Sequence, residues 1–140
     1  MSQESVELVR SLYDAVQRGD YEWPLEVLDE NILWDVRLRL PDMANVYRGH
    51  DGIREFWREW LAAWETLEFN LAVVEDRGDL VIFEVKQRNR GRASGVAVDF
   101  HYFQAFTVRD GKVTAVCAAD TKAEALEALG LSEQDTHADS

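Results

Sequence analysis

Two titratable side chains stand among apolar neighbours in this sequence. Asp35 lies between Trp34 and Val36, and burial there would raise the pKa of its carboxyl until it could act as a base near neutral pH. His101 lies in the largely apolar segment 98–103, and an imidazole opposite a carboxylate can act as an acid, a base or an orienting group. The sequence therefore predicts proton transfer by Asp35, assisted by His101.

Each candidate also has a plainer explanation. The strand could end near Asp35, so that its carboxylate meets water or pairs with Arg37 or Arg39. His101 could be a satisfied core histidine, or a polar residue on a dimer face if the strand is turned over. Asp120 follows the last predicted strand and is a third catalytic candidate, with an end-of-strand charge as the alternative.

An amphipathic helix supplies an apolar surface for such a site. Apolar residues recur at the spacing of one helical face, and they are Ile53, Phe56, Trp57, Trp60, Leu61 and Trp64. Their bulk predicts that the helix presses into a deep apolar space, either a filled core or a small-molecule cavity. The residues that we expect to contact a ligand there are Tyr13, Tyr47, Trp57, Trp60 and Phe103.

The remaining elements alternate between helical and strand patterns. We expect helices over 4–18, ended by Gly19, over 20–28, capped by Asp20, and over the tryptophan-rich stretch, capped by Asp51. Strands are expected over 32–37, 67–75, 80–90, 96–109 and 112–120, with a hairpin turn at Asp110–Gly111. An apolar lid is expected over 38–46, and a capping box of Thr121 and Glu124 opens a last helix. Helices and antiparallel strands that are segregated in this way predict an α+β fold. Because the long strands must bend, we expect a cone-shaped, curved, mostly antiparallel sheet wrapped around three helices, with an internal cavity.

Composition narrows the class of protein. The length of 140 residues predicts one domain over 1–131 with a flexible tail over 132–140. The net charge of -12 argues against nucleic acid or a membrane surface as a partner. The N-terminus has no signal-peptide pattern, so we expect a cytoplasmic protein. Cys117 is the one cysteine and is expected to be a buried apolar residue. No motif indicates a metal or a cofactor.

Four segments in order resemble the nuclear transport factor 2-like superfamily. They are residues 12–20, 47–57, 108–113 and 124–131, and the likeness covers nearly all of residues 4–131. It is nearest to the SnoaL-like branch, which includes polyketide cyclases and is related to ketosteroid isomerases.

The resemblance implies roles for particular positions. Asp35 matches the proton-shuttling aspartate of the isomerases. Their oxyanion-binding tyrosine falls at Leu12 and their protonated aspartate at Phe103, so both oxyanion donors are expected to be missing. The match of Phe103 to a cavity position also places His101 on the cavity side. Phe100, Tyr102 and Phe106 would then form an apolar outer face, which predicts a homodimer.

Two functions fit this pattern. The first is a cofactor-independent isomerase, cyclase or hydrolase that acts by proton transfer on a small apolar molecule. The second is a non-catalytic small-ligand-binding or dimerisation domain.

Overall fold

Three α-helices and six strands make up the parts of the chain that the computed structural model describes, residues 2–38 and 46–130. The helices are α1 (Ser2–Gln17), α2 (Gly49–Ala63) and α3 (Lys122–Ala128). The strands are β1 (Leu28–Val36), β2 (Val46–Arg48), β3 (Trp64–Asp76), β4 (Leu80–Gly91), β5 (Ala97–Arg109) and β6 (Lys112–Ala119).

The six strands form one curved, unclosed sheet in the order β2-β1-β6-β5-β4-β3. Every neighbouring pair is antiparallel except β1 and β6, which run parallel. The α+β class and the curved, mostly antiparallel sheet are therefore confirmed. Helices α1 and α2 pack against the inner face of this sheet, the face that carries Tyr102 and Phe106. Helix α3 packs against the outer face, beside Ala105 and Cys117.

Helix α1 is held by an apolar stripe and ends at a glycine, as its sequence predicts. Val9, Tyr13 and Val16 are buried along one side. Gly19 has a φ of +83°, and the N–H of Gly19 donates to the carbonyl of Val16 while that of Asp20 donates to Ala15. This glycine-terminated pattern satisfies the last carbonyls of the helix. It fixes the end of α1 one turn beyond Tyr13.

The predicted helix over 20–28 is wrong, because only a single 3-10 turn forms over Trp23–Glu26. The carboxylate of Asp20 accepts a hydrogen bond from the N–H of Trp23 at 3.0 Å. The N-cap residue of the turn is Glu22, which makes no side-chain capping bond, so the predicted cap at Asp20 is wrong as well. Strand β1 then begins at Leu28, four residues earlier than expected. Pairing of Leu28 with β6 outweighs the local helical pattern.

Helix α2 differs from its prediction at both ends. Its N-cap residue is Arg48, which makes no side-chain capping bond, whereas Asp51 lies in the first turn and pairs with Arg54 at 3.1 Å. Trp64 is the extended C-cap residue and starts β3. The aromatic face therefore reaches from the helix directly into the edge strand.

Local turn and cap chemistry matches the sequence closely in the second half of the chain. Asp110 and Gly111 both have positive φ, 52° and 76°, as a two-residue hairpin turn requires. The Thr121 hydroxyl accepts a hydrogen bond from the N–H of Glu124 at 3.1 Å, which confirms the predicted cap of α3. The predicted lid lies mostly outside the described residues, as does the tail over 132–140. Within the described ranges, no helix combines the length and the apolar character needed to cross a membrane.

Candidate functional site

An apolar cavity lies between the inner face of the sheet and helices α1 and α2. The volume open to the centres of water molecules is about 70 Å³, several times what one water needs. Nine of the lining side chains are aromatic: Tyr13, Trp34, Phe56, Trp57, Trp60, Phe69, Phe100, Tyr102 and Phe106. Such walls favour flat, apolar ligands through stacking and edge-to-face contacts.

A hydrogen-bonded pair forms one polar group on this wall. Tyr13 reaches in from α1 and its hydroxyl donates to Oε1 of Gln104 on β5. Both side chains are buried, and the Tyr13 ring packs against Phe69 at 5.2 Å between ring centroids. Nε2 of Gln104 has no hydrogen-bond partner within the described ranges, so its two N–H groups remain available to a ligand.

The hydroxyl of Tyr13 is a hydrogen-bond donor that keeps its proton. Burial, followed by the proximity of Tyr102, raises the pKa of Tyr13 well above its ordinary value, because a phenolate would be poorly solvated there. The Tyr13 hydroxyl therefore stays protonated across the physiological pH range.

A second polar group runs along β4. The Tyr102 hydroxyl donates to Oε1 of Gln87 at 2.5 Å, and Nε2 of Gln87 donates to Oδ1 of Asn89 at 2.8 Å. Asn89 is fully buried, and its Nδ2 has no hydrogen-bond partner among the described residues. Burial raises the pKa of Tyr102 as well. Gln87 faces inward, as the alternation along its strand allowed.

All polar groups on the described part of the wall are neutral. The lining side chains that hydrogen-bond to other residues are those of Tyr13, Gln87, Tyr102 and Gln104. The lining tryptophans add neutral indole N–H donors, and no carboxylate, imidazole or cationic group is among the lining residues there. Among the same described residues, no cluster of three or more His, Cys, Asp or Glu side chains could hold a metal ion. The wall can donate hydrogen bonds and polarise an oxygen atom.

Three of the residues predicted from the sequence to bind a ligand do line the cavity. They are Tyr13, Trp57 and Trp60. Their contact with a ligand stays a prediction, but their position permits it.

Asp35 lies on the outer face of the sheet, so its predicted position inside the cavity is wrong. Its inward neighbours Trp34 and Val36 line the cavity instead. The Asp35 carboxylate accepts a hydrogen bond from Nε of Arg37 at 3.3 Å, which is the plainer alternative that the sequence left open. Across the strand pair it faces Cys117. Burial, and then the charge of Asp35, raises the pKa of that thiol to about 12, so it stays protonated.

His101 and Phe103 also face outward, contrary to the prediction from the resemblance. Nε2 of His101 lies 2.6 Å from Oε2 of Glu84, and the His101 side chain is 55% exposed. Phe103 packs with the outer cluster under α3. Because side chains alternate along a strand, an assignment inverted by one residue exchanges the two faces completely.

The same inversion removes the basis of the predicted apolar dimer face. Phe100, Tyr102 and Phe106 line the cavity and do not cover the outside of the sheet. The homodimer therefore stays a prediction without this support.

Asp120 and Tyr47 lie away from the cavity lining. Asp120 is exposed just beyond β6. Tyr47 is buried on β2, where its ring packs against Phe56 at 5.2 Å and its hydroxyl donates to Oε1 of Glu59 at 2.6 Å. The Tyr47 side chain therefore packs against α2, and its hydroxyl does not point into the cavity.

Sequence reasoning missed Gln104, Tyr102 and Asn89. A signal for the first two was present in the alternation of β5, where one face carries three aromatic residues and the other carries Asp99 and His101. The face richer in aromatic residues is the one that a core would bury. Alternation along β4 does place Asn89 on the same face as Phe83, Val85 and Gln87, and that face is the buried one.

Comparisons with known proteins agree with this architecture. The family described as SnoaL-like domain matches residues 9–116. An NTF2-like protein from Burkholderia xenovorans LB400 is similar in structure, with a TM-score of 0.74, 25% identity and coverage of 91% of this chain and 96% of that one. No curated protein matches the sequence significantly.

Two further solved structures show the same fold at lower identity. TerC, crystallised with polyporic acid, has a TM-score of 0.75 at 19% identity, covering 84% of this chain and 92% of its own. A predicted polyketide cyclase from Xanthomonas campestris pv. campestris has a TM-score of 0.74 at 20% identity, with coverage of 84% and 90%.

Proposed function

Because the chain belongs to the SnoaL-like domain family, we propose that its cavity binds a small, mostly apolar carbonyl compound and stabilises negative charge on the carbonyl oxygen. The observation that carries this proposal is the buried Tyr13–Gln104 pair on a mostly apolar wall. Such charge develops when a ketone isomerises through its enolate or closes a ring at an adjacent carbon.

The pair has the chemistry of an oxyanion site. A ligand oxygen beside it would accept a hydrogen bond from Nε2 of Gln104, and the Tyr13 hydroxyl could turn from the amide to the same oxygen. Donors fixed in a water-poor cavity stabilise a developing oxyanion more strongly than water does. The resemblance matched the two oxyanion-donor positions to Leu12 and Phe103, which cannot donate a hydrogen bond, whereas the neighbouring residues Tyr13 and Gln104 form the pair.

Two of the comparison proteins are described by a ligand or an activity, and both descriptions support a ligand of this class. One was crystallised with polyporic acid and another is a predicted polyketide cyclase. Nine aromatic side chains around the cavity suit a flat ring system. In this proposal the proton that leaves the ligand goes to water or to a basic group of the ligand, since the described wall supplies no carboxylate or imidazole.

Binding without turnover is the second candidate function. It is favoured by that same neutrality of the described cavity wall, because proton abstraction by an enzyme usually uses a side chain that can accept the proton. Both candidates require the Tyr13–Gln104 pair to contact an oxygen of the ligand. They differ in whether a bound ketone exchanges its α-hydrogens with solvent faster than the free ketone does.

The first test is a calorimetric comparison of benzene with phenol and of naphthalene with 2-naphthol. We expect each hydroxylated compound to bind about five- to tenfold more tightly than its hydrocarbon, the size of one net hydrogen bond. Tyr13→Phe should remove most of that advantage while leaving the affinity for the hydrocarbon unchanged. Tyr21→Phe is the matched control, because Tyr21 packs on the back of Trp57 and is absent from the described cavity wall. Equal affinity of the wild-type protein for the members of both pairs would refute the proposal.

A further inference from the structure

The chain of hydrogen bonds through Gln87 ends in an unsatisfied group. It runs from the Tyr102 hydroxyl to Gln87 and on to Asn89, and stops at Nδ2 of Asn89, which is fully buried and unpaired within the described residues. A buried donor without a partner costs free energy that a water molecule or a ligand atom can recover.

Two residues of this hydrogen-bonded series, Gln87 and Tyr102, line the cavity. Gln87 uses one of its two side-chain N–H groups on Asn89, and the other remains free. The oxygen of Tyr102 donates its proton to Gln87 and keeps its lone pairs. Together they offer a donor and an acceptor to an oxygen atom in the cavity, while Asn89 holds the Gln87 amide in one orientation.

The register of the sheet places the hydrogen-bonded series of Tyr102, Gln87 and Asn89 at some distance from the Tyr13–Gln104 pair. Tyr102 lies two residues from Gln104 on the same face of β5, which places their backbones roughly 7 Å apart. On β4, Gln87 lies two residues beyond Val85, the partner of Tyr102, in the direction away from Phe83, the partner of Gln104. The two polar groups therefore sit on one wall at different positions along the strands, with aromatic side chains around them.

We propose that Tyr102, Gln87 and Asn89 form a second oxygen-binding site in the cavity, so that the preferred ligand is a flat apolar molecule with oxygen substituents at two opposite positions. This inference rests on the proposed function, since it requires that the cavity bind an oxygenated apolar molecule at the Tyr13–Gln104 pair. Tyr102 and Gln87 contact the ligand, and Asn89 is a positioning residue.

The test extends the calorimetric series to compounds with two hydroxyl groups. 2,6-Dihydroxynaphthalene carries its oxygens at opposite ends, whereas 2,3-dihydroxynaphthalene carries both at one end and can reach only one site. We expect the wild-type protein to bind the 2,6-isomer about five- to tenfold more tightly than 2-naphthol, and the 2,3-isomer within about twofold of 2-naphthol. This comparison needs no variant, so it does not depend on the folding of any mutant.

Variants assign the second hydroxyl to its residues. Gln87→Met should abolish the advantage of the 2,6-isomer over 2-naphthol, whereas Tyr13→Phe should reduce the advantage of 2-naphthol over naphthalene. Tyr102→Phe is the second variant, and it should match Gln87→Met if that protein melts too low to assay. Asn89→Leu should reduce the preference for the 2,6-isomer over the 2,3-isomer, which a purely structural role would leave unchanged.

The two proposals fail in different ways. If 2-naphthol binds no better than naphthalene, the proposed function is overturned. If 2-naphthol binds better than naphthalene but the 2,6-isomer gains nothing further, the Gln87 chain holds only a water molecule or supports the fold, and the second site is overturned while the first survives.

Discussion

The two faces of strands β4 and β5 carry different kinds of polar side chain. The inner face carries Gln87, Tyr102 and Gln104, which are neutral, buried and hydrogen-bonded to each other or to α1. The outer face carries charged pairs such as Arg88 and Asp99, which remain in contact with solvent. Amides and phenols can be buried once they are hydrogen-bonded, whereas an isolated charge cannot. The described wall of the cavity thus carries neutral hydrogen-bonding groups, whereas the charged side chains of these two strands lie outside it.

The outer pairs specify register more than they stabilise the fold. Arg88 and Asp99 are cross-strand partners, and Nε of Arg88 donates to Asp99 at 2.7 Å. That hydrogen bond, and then the charge of Arg88, lowers the pKa of Asp99. Both side chains are more than half exposed, so water and salt weaken the pair. Its clearest effect is to favour one alignment of the two long strands.

The largest expected effect comes from placing a charge on the inner face. Gln104→Glu should destabilise the protein by about 3–4 kcal/mol at pH 8, because burial should raise the pKa of the new carboxyl by roughly 3 units. Since its folded-state pKa lies above the unfolded value, the loss should be absent below about pH 4 and grow as the pH rises toward the folded-state pKa. Urea denaturation at several pH values measures this.

Glu84→Gln is the matched control on the outer face. It exchanges the same two side chains in the opposite direction, at a position where Glu84 is partly exposed and contacts His101. The expected change in the free energy of unfolding is below about 1 kcal/mol. If the two substitutions cost similar amounts, the contrast between the faces is wrong.

A smaller effect is expected where α3 meets the edge of the sheet. Glu75 accepts hydrogen bonds from Lys122 at 2.6 Å and Arg77 at 2.9 Å. The hydrogen bond from Lys122 contributes most to lowering the pKa of Glu75, while burial opposes it. A lowered folded-state pKa means stability that is present above the unfolded value, near 4.3, and lost as the pH falls through the folded value.

Glu75→Gln tests this ion-pair cluster directly. At pH 7 it should lower the free energy of unfolding by about 0.5–1 kcal/mol, and the difference from wild type should shrink as the pH falls from about 5 toward 3. Glu65→Gln, an exposed position on the same strand, is the control and should show no such pH dependence. A difference that stays constant with pH would count against the assigned role of Glu75.

The smallest effect is expected at the residues that the sequence suggested for catalysis. His101→Ala and Asp35→Asn should leave the affinities for naphthalene and 2-naphthol within about twofold of wild type, because both side chains lie outside the described cavity wall. Calorimetry on the same ligands measures this. A tenfold loss in either variant would show that the outer face contributes to binding after all.

The local sequence predicted the backbone conformation correctly wherever only a few residue types can adopt that conformation. The glycine end of α1, the Asp110–Gly111 turn and the Thr121 cap were each predicted and found. These features depend on conformations that a few residue types favour strongly. The segment 20–28 was harder, because it forms only a 3-10 turn over Trp23–Glu26 before Leu28 pairs with β6. That pairing joins residues far apart in the sequence, so the local pattern does not reveal it.

The candidate site was predicted only in part for a related reason. Tyr13, Trp57 and Trp60 lie on helices whose apolar stripe has one possible buried side. On β5 both faces contain aromatic residues, so alternation defines two faces without saying which one is covered. The resemblance assigned a cavity position to Phe103, whereas on β5 the next residue, Gln104, lines the cavity.

The sequence by itself determined the fold class, the tryptophan-rich helix, the hairpin turns and the two-faced pattern of the long strands, because these follow from local conformational preference and periodicity. Only the tertiary structure decided which face of β5 meets α1 and α2. That choice depends on the register of six strands and the packing of two helices together. In the folded protein Asp35 and His101 lie on the outer face of the sheet, whereas Tyr13, Gln104 and Gln87 line one wall of the cavity. The difference arises because a strand presents neighbouring residues to opposite sides.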